Sequence, residues 1–340
     1  MPDRRTPEYE RVVAAMGAAL PYRRALALLT EFFPLGDAPA VETARQRTLR
    51  VGAGLERAAL VPSQPPSAAA PEEDAIALGI DAGHVRSVRR YRVRSFEVFV
   101  AQVSADEAKS VVFSSVPAEA DRQPQQLRGV LHRLGATPQT SVTILSDGAD
   151  GPRSLGEAAS PGPSRHVLDW FHLAMRIHHA ARVAEAWPVG TPGEREDGTR
   201  LADAVERIRW RLWHGRVRRA LDLIGETLAW LDAATEAAPA AAAKVAALLR
   251  GLETYVSGQA GLIIDHAKAR RDGEPISTAT TESTVQWLLH RRMGVGKQMR
   301  WSPKGAHRML KVRTAVANGT LARDHAAAER WARRPFRPAA

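Results

Sequence analysis

"AIALGIDAGHVR", residues 75–86, is the stretch on which the fold turns. A run of β-forming apolar residues reaches an acid, Asp81, and then a small residue and a glycine follow at once. The apolar run reads as a buried strand. Ala82 and Gly83 read as the turn after it, leaving Asp81 at the strand's end. Taken alone, Asp81 is a turn aspartate that bonds its own backbone. A functional role requires further acids delivered to the same edge of a sheet.

A second strand of the same design lies 66 residues on (147 minus 81), in "SVTILSDGADG", where Asp147 again precedes glycine. Two strands ending on aspartates at one sheet edge bring two carboxylates together, and these repel unless a cation neutralises them. Mg²⁺ suits this role because it takes carboxylate and water oxygens. A third carboxylate would complete a two-metal site, with ions ~3.5–4 Å apart. Glu282, in "ISTATTESTVQW", is the candidate, although an acid in a helix's first turn is also favoured by the helix dipole alone. From Ser283 to Arg323 the chain has nine Lys or Arg and no acid, so Glu282 opens a long basic segment.

Around these acids the pattern is that of an α/β protein. "SFEVFVAQVS", "SVVFSSV", "SVTILSD" and "HVLDW" read as strands, and "QPQQLRGVLHRLG" as a helix between the second and third of these. Three strands, a helix and two further strands match the order of a ribonuclease H-like mixed sheet. Residues 1–57 read as an N-terminal helical region suited to DNA binding, 58–74 as a linker with four prolines between Pro62 and Pro71, and 75–199 as the first part of the catalytic core. Residues 200–272 read as an all-helical insertion, from Leu, Val and Trp at three- and four-residue spacing. Trp210, Trp213 and Trp230 are assigned to its core. Residues 273–340 read as the C-terminal helices of the catalytic core.

Lys and Arg total 48 against 37 acids, a net charge of +11, which points to a polyanionic partner such as DNA. The absence of cysteine excludes disulfides and thiolate chemistry. No apolar stretch approaches the ~20 residues of a membrane span, and the charged start is unlike a signal peptide. The expectation is a cytoplasmic protein, nucleoid-associated when bound to DNA. Arg45, Arg47 and Arg50 suit a helix facing a phosphate backbone. Arg291, Arg292, Lys297, Arg300, Lys304 and Arg308 suit a phosphate-tracking groove, with Trp301 stacking on a base. The alternative for each is a solvated basic helix.

In "LDWFHLAMRIHH", Asp169 and His172 form a D-x-x-H pair, read either as a group orienting a phosphate or as a capped helix start. A zinc site through His166, His172, His178 and His179 is set aside, because the spacing matches no zinc pattern.

The ordered set "GIDAGHVRS", "RSFEVFVAQV", "ILSDGADG", "HVLDWFHLAMRI", "TTESTVQWLLHRRM" and "MRWSPKGAHRMLKVR" resembles DDE transposases of bacterial insertion sequences, in particular the ISKra group. The resemblance runs from about residue 75 to 315 and extends to "PDRRTPEYERVV" and "LPYRRALALLTEFF". It implies Asp81, Asp147 and Glu282 as catalytic, metal-binding acids. It also implies two Mg²⁺ ions, replaceable by Mn²⁺, and Asp169 and His172 as their supporting pair. The implied activity is cleavage of transposon ends and strand transfer to target DNA by an oligomer. The family's usual N-terminal cysteine motifs are not found here, which leaves a truncated DNA-binding derivative as one alternative. A ribonuclease H-like nuclease is the other.

Overall fold

A computed structural model of the protein describes residues 6–33, 40–59, 73–89, 93–106, 109–119, 122–187, 191–233, 239–294 and 299–332. Most of the expected linker, 58–74, lies outside the described residues, and so does Lys297.

Five strands form one mixed sheet: β1 (Ala75–Arg86), β2 (Ser95–Ser104), β3 (Ser110–Ser115), β4 (Ser141–Ser146) and β5 (Ser164–Leu168), in the order β3-β2-β1-β4-β5. β1, β2 and β3 pair antiparallel as a meander. The fold is therefore α/β, as the strand and helix pattern predicts. One correction concerns the decisive stretch itself. β1 does not stop at Asp81. It runs on to Arg86, with Asp81 opposite Val100 and Gly83 opposite Val98. Gly83 is small for packing rather than for turning. A Cβ built there would lie 2.4 Å from Leu289 Cδ1, so the strand admits a helix side chain at that point.

The chain divides into two compact units. The first comprises Met1–Val142, Ser154–Ser164 and Thr280–Ala340, and the second Thr143–Arg153 and Arg165–Ala279, so the boundary passes through β4 and β5.

In the first unit, helices α1 (Pro7–Ala19), α2 (Tyr22–Phe32) and α3 (Val41–Ala59) do not form a separate module. Val13, Leu26, Leu29 and Val51 share one buried cluster with Val85, Val98 and Val100 of the sheet. Leu288, Leu289, Met309 and Leu310 of the C-terminal part complete it. Helix α4 (Gln123–Arg133) follows β3, and α5 (Asp150–Ala159) lies between β4 and β5.

The second unit holds α6 (Trp170–Ala184), α7 (Pro192–Trp213), α8 (Val217–Ala233), α9 (Pro239–Gly258) and α10 (His266–Arg271). Their apolar stripes, including Ile177, Leu201, Ile208, Ile224, Val245 and Leu249, make a second buried cluster. Trp213 and Trp230 are partly buried, but Trp210 is 46% exposed, with Arg216 over its ring, and is not core.

The C-terminal part of the first unit contains α11 (Ala279–Val285), a π-helical turn (Gln286–His290), α12 (Arg291–Met293), α13 (Pro303–Ala317) and α14 (Leu321–Ala332). Alongside α13 runs β3, the edge strand, whose outward backbone groups would otherwise template aggregation. Side chains at positions 307, 311, 314 and 318 meet that edge at alternate residues. Val116 N–H donates to His307 Nδ1 (3.1 Å), and Lys311 Nζ donates to the Ser114 carbonyl (3.1 Å). The Ser114 and Thr314 hydroxyls lie 2.6 Å apart, and the Asn318 amide makes two 2.8 Å bonds with the Val112 peptide. One polar face of a helix thus stands in for a missing strand.

Among the described residues no helix is long and apolar enough to cross a membrane.

Candidate functional site

Asp81 sits in mid-strand at 8% exposure, in β1, where its neighbours on the sheet are apolar. Its Oδ1 accepts from the Ala82 N–H at 2.7 Å. Glu282, on α11 and 201 residues on (282 minus 81), is partly buried. The two carboxylates present oxygens within 4.8 Å of one another. That spacing lets one cation be shared, whereas two bare carboxylates repel. The arrangement is thus capable of holding a metal ion, and its oxygen donors are those a hard divalent cation prefers.

Glu282 is held by its own helix. Gln286 Nε2 donates to Glu282 Oε1 at 2.9 Å, and His290 Nδ1 lies 2.6 Å from Gln286 Oε1. The π-helical turn begins at Gln286 itself, and such turns recur at functional sites. Gln286 and His290 were not singled out from the sequence. Their spacing of four and eight residues from Glu282 was the available signal, since those positions share a helix face. The π turn left no local signature.

In the second unit Asp147 follows β4 and is partly exposed. Its Oδ1 accepts from the Ala149 N–H at 3.0 Å and its carbonyl from the Tyr255 hydroxyl at 2.8 Å. Burial, together with the Asp147 charge, pushes the Tyr255 phenol up to about 12, and Arg176 lies 4.1 Å from its ring. Gly148 has φ +89°, and a Cβ there would meet the Gln259 carboxamide at 2.7 Å, so glycine is required on two grounds.

Also in that unit, Asp169 is fully buried as the N-cap of α6. It accepts from the N–H groups of Phe171 (3.0 Å), His172 (3.3 Å) and Thr278 (2.8 Å), and its Oδ2 lies 2.6 Å from His172 Nδ1. Burial alone would raise its pKa, but the bonds from His172 and Thr278 outweigh that and hold it below the ordinary carboxylate value. The D-x-x-H pair is therefore both a helix cap and a fixed imidazole orientation.

The residues expected to meet DNA fall into two groups. Arg291, Arg300 and Lys304 are exposed, and Arg308 is partly buried. Arg45 is exposed but bonded to Glu42 (2.8 and 2.6 Å), Arg50 is exposed and lies 3.2 Å from Glu10, and Arg47 packs over the Tyr9 ring. Two expectations need revision. Arg292 is 2% exposed; it donates from Nε to the Gly17 carbonyl at 3.1 Å and its guanidinium lies over the rings of Tyr22 and Trp301. Trp301 is 6% exposed and its backbone bridges Arg86 and Val88, so it belongs to the core rather than to a base-stacking surface. The cause in both cases is the close packing of the C-terminal helices onto α1 and β1.

The chain matches no protein-family model and no curated protein.

Proposed function

We propose that the protein is a DDE-type transposase with a ribonuclease H-like fold, cutting the ends of a mobile element and joining them to target DNA with Mg²⁺ as cofactor. The carrying observation is that Asp81 and Glu282, one from a central strand and one from a helix 201 residues later (282 minus 81), bring their carboxylates together. Folding alone gives no reason to gather two like charges, one of them nearly buried. The two carboxylates offer the kind of oxygen donor that Mg²⁺ takes, and the ion when bound would supply charge neutralisation at a phosphodiester and activation of an oxygen nucleophile.

Asp81 and Glu282 fix that positive charge at one place, and Gln286 with His290 fixes the rotamer of Glu282. Asp147 is assigned as the third acid from its place directly after β4, and His172, oriented by Asp169, as a group steadying the scissile strand. In the first step a water oxygen attacks the phosphorus and the 3′ oxygen leaves as a hydroxyl. In the second, that hydroxyl attacks a target phosphodiester, joining the element's 3′ oxygen to the target phosphorus while the target's own 3′ oxygen leaves as a hydroxyl. Arg291, Arg300 and Lys304 are the exposed cations assigned to DNA, and two ends held together call for an oligomer.

The test uses DNA carrying the element's own ends, with Mg²⁺ or Mn²⁺, scored for nicking and for joining. Both activities are expected, and Glu282→Gln should reduce both by about 100-fold or more while end binding persists. Cleavage without joining would favour a nuclease. End binding that is indifferent to EDTA, with no nicking in Mn²⁺, would favour a DNA-binding derivative instead.

A further inference from the structure

We propose that Glu10, His325 and Glu329 form a binding site for a divalent transition-metal ion of the zinc type, distinct from the Asp81–Glu282 pair and independent of its assignment. All three belong to the first unit, and their ligand atoms lie within 4.8 Å of one another. His325 and Glu329 stand four residues apart on α14, so they share a face, and Glu10 comes from α1. The histidine is the informative member. It is 4% exposed, so its ring lies in the interior of the unit. A buried imidazole ordinarily finds a polar partner. Here it faces two carboxylates with a nitrogen that a metal can take.

The donor set selects the ion. One imidazole nitrogen with two carboxylate oxygens matches zinc, which accepts mixed nitrogen and oxygen ligands, and water would fill the remaining position. Mg²⁺ favours oxygen donors throughout and is disfavoured. Arg50 Nη1, 3.2 Å from Glu10 Oε1, is a competing cation, but it sits on a side chain 53% exposed, where an ion pair is weak. A bound ion would tie the C-terminal helix to the N-terminal one. The site would then act as a clasp rather than as a reaction centre.

The experiment uses the full chain in an Asp81→Asn/Glu282→Gln background, which removes the other carboxylate pair. Metal-free protein is titrated with Zn²⁺ and, separately, Mg²⁺ by calorimetry, and thermal unfolding is followed in parallel. One Zn²⁺ per chain and a Zn²⁺-dependent rise in Tm are expected, with Mg²⁺ binding far more weakly. His325→Gln and Glu329→Gln should each weaken Zn²⁺ binding at least about tenfold, the low end of what changes around a metal site produce. Arg50→Ala should leave it undiminished. Should His325→Gln unfold without metal, Glu329→Gln decides, with Co²⁺ absorption reporting the ligand field. No Zn²⁺ bound in this background, or the same affinity in Glu329→Gln, would overturn the proposal.

Discussion

Two arginines of the C-terminal part of the first unit, Arg292 and Arg313, and three of the helical second unit look alike in sequence and do opposite things. Arg313 is 4% exposed and donates to three backbone carbonyls, those of Ala18, Leu288 (2.7 Å) and Trp287 (2.7 Å). Arg292 donates to Gly17. Gly17 and Ala18 end α1, where carbonyls have no helical partner and a cation also opposes the helix dipole. In the second unit Arg250 pairs with Asp232 at 2.8 Å, Arg209 with Glu206 and Arg165 with Glu274, all on exposed side chains. Positive charge in the first set finishes the fold. In the second it decorates a surface, so a net charge of +11 overstates the area offered to a polyanion.

Substitutions can break or sharpen this contrast. The largest effect is expected from Arg313→Leu, which leaves three buried acceptors unmade and should cost about 3 kcal/mol or more by urea unfolding. A loss as small as that of a surface pair would erase the distinction. Asp169→Asn should cost about 2–3 kcal/mol at neutral pH, because a cap and a charged hydrogen-bond network go together. Asp169 has a folded pKa below its unfolded one. Its contribution is therefore present above the ordinary carboxylate value of about 3.9 and is lost as pH falls through the lower folded value. The gap between parent and variant should close only in acid.

Lys311 comes next. Burial pulls its amine from 10.5 to about 8, so the unfolded chain binds more protons between those values. Stability should rise across that window by on the order of 1–2 kcal/mol, and Lys311→Met should abolish the rise. A rise that survives in Lys311→Met would assign it to other groups. The smallest effect is expected from Arg250→Ala, under about 1 kcal/mol and smaller still in high salt.

Strand content and the α/β class were legible because β2, β4 and the helix after β3 carry clear local periodicity. The helical second unit was legible for the same reason. The length of β1 was not, since the glycine that resembles a turn answers to Leu289, 206 residues away (289 minus 83). Nor was the burial of Trp301 and Arg292, because an amphipathic side chain looks the same before a base as before a helix end. At the candidate site, Asp81 and Glu282 could be chosen from their chemistry and surroundings. The support of Glu282 by Gln286 and His290 was marked only by their spacing along one helix face, and the π turn that begins at Gln286 left no sequence mark.

The central claim is that Asp81 and Glu282 hold one divalent cation between them. Fe²⁺ placed there, with ascorbate and peroxide, generates radicals that cut the chain beside its ligands, and mass spectrometry of the fragments locates the cuts. Cuts beside residues 81 and 282 are expected, suppressed by excess Mg²⁺ and lost in Asp81→Asn, with any cuts near 10 and 325–329 insensitive to that change. Fragments that spare both positions, or that persist unchanged in Asp81→Asn, would contradict it.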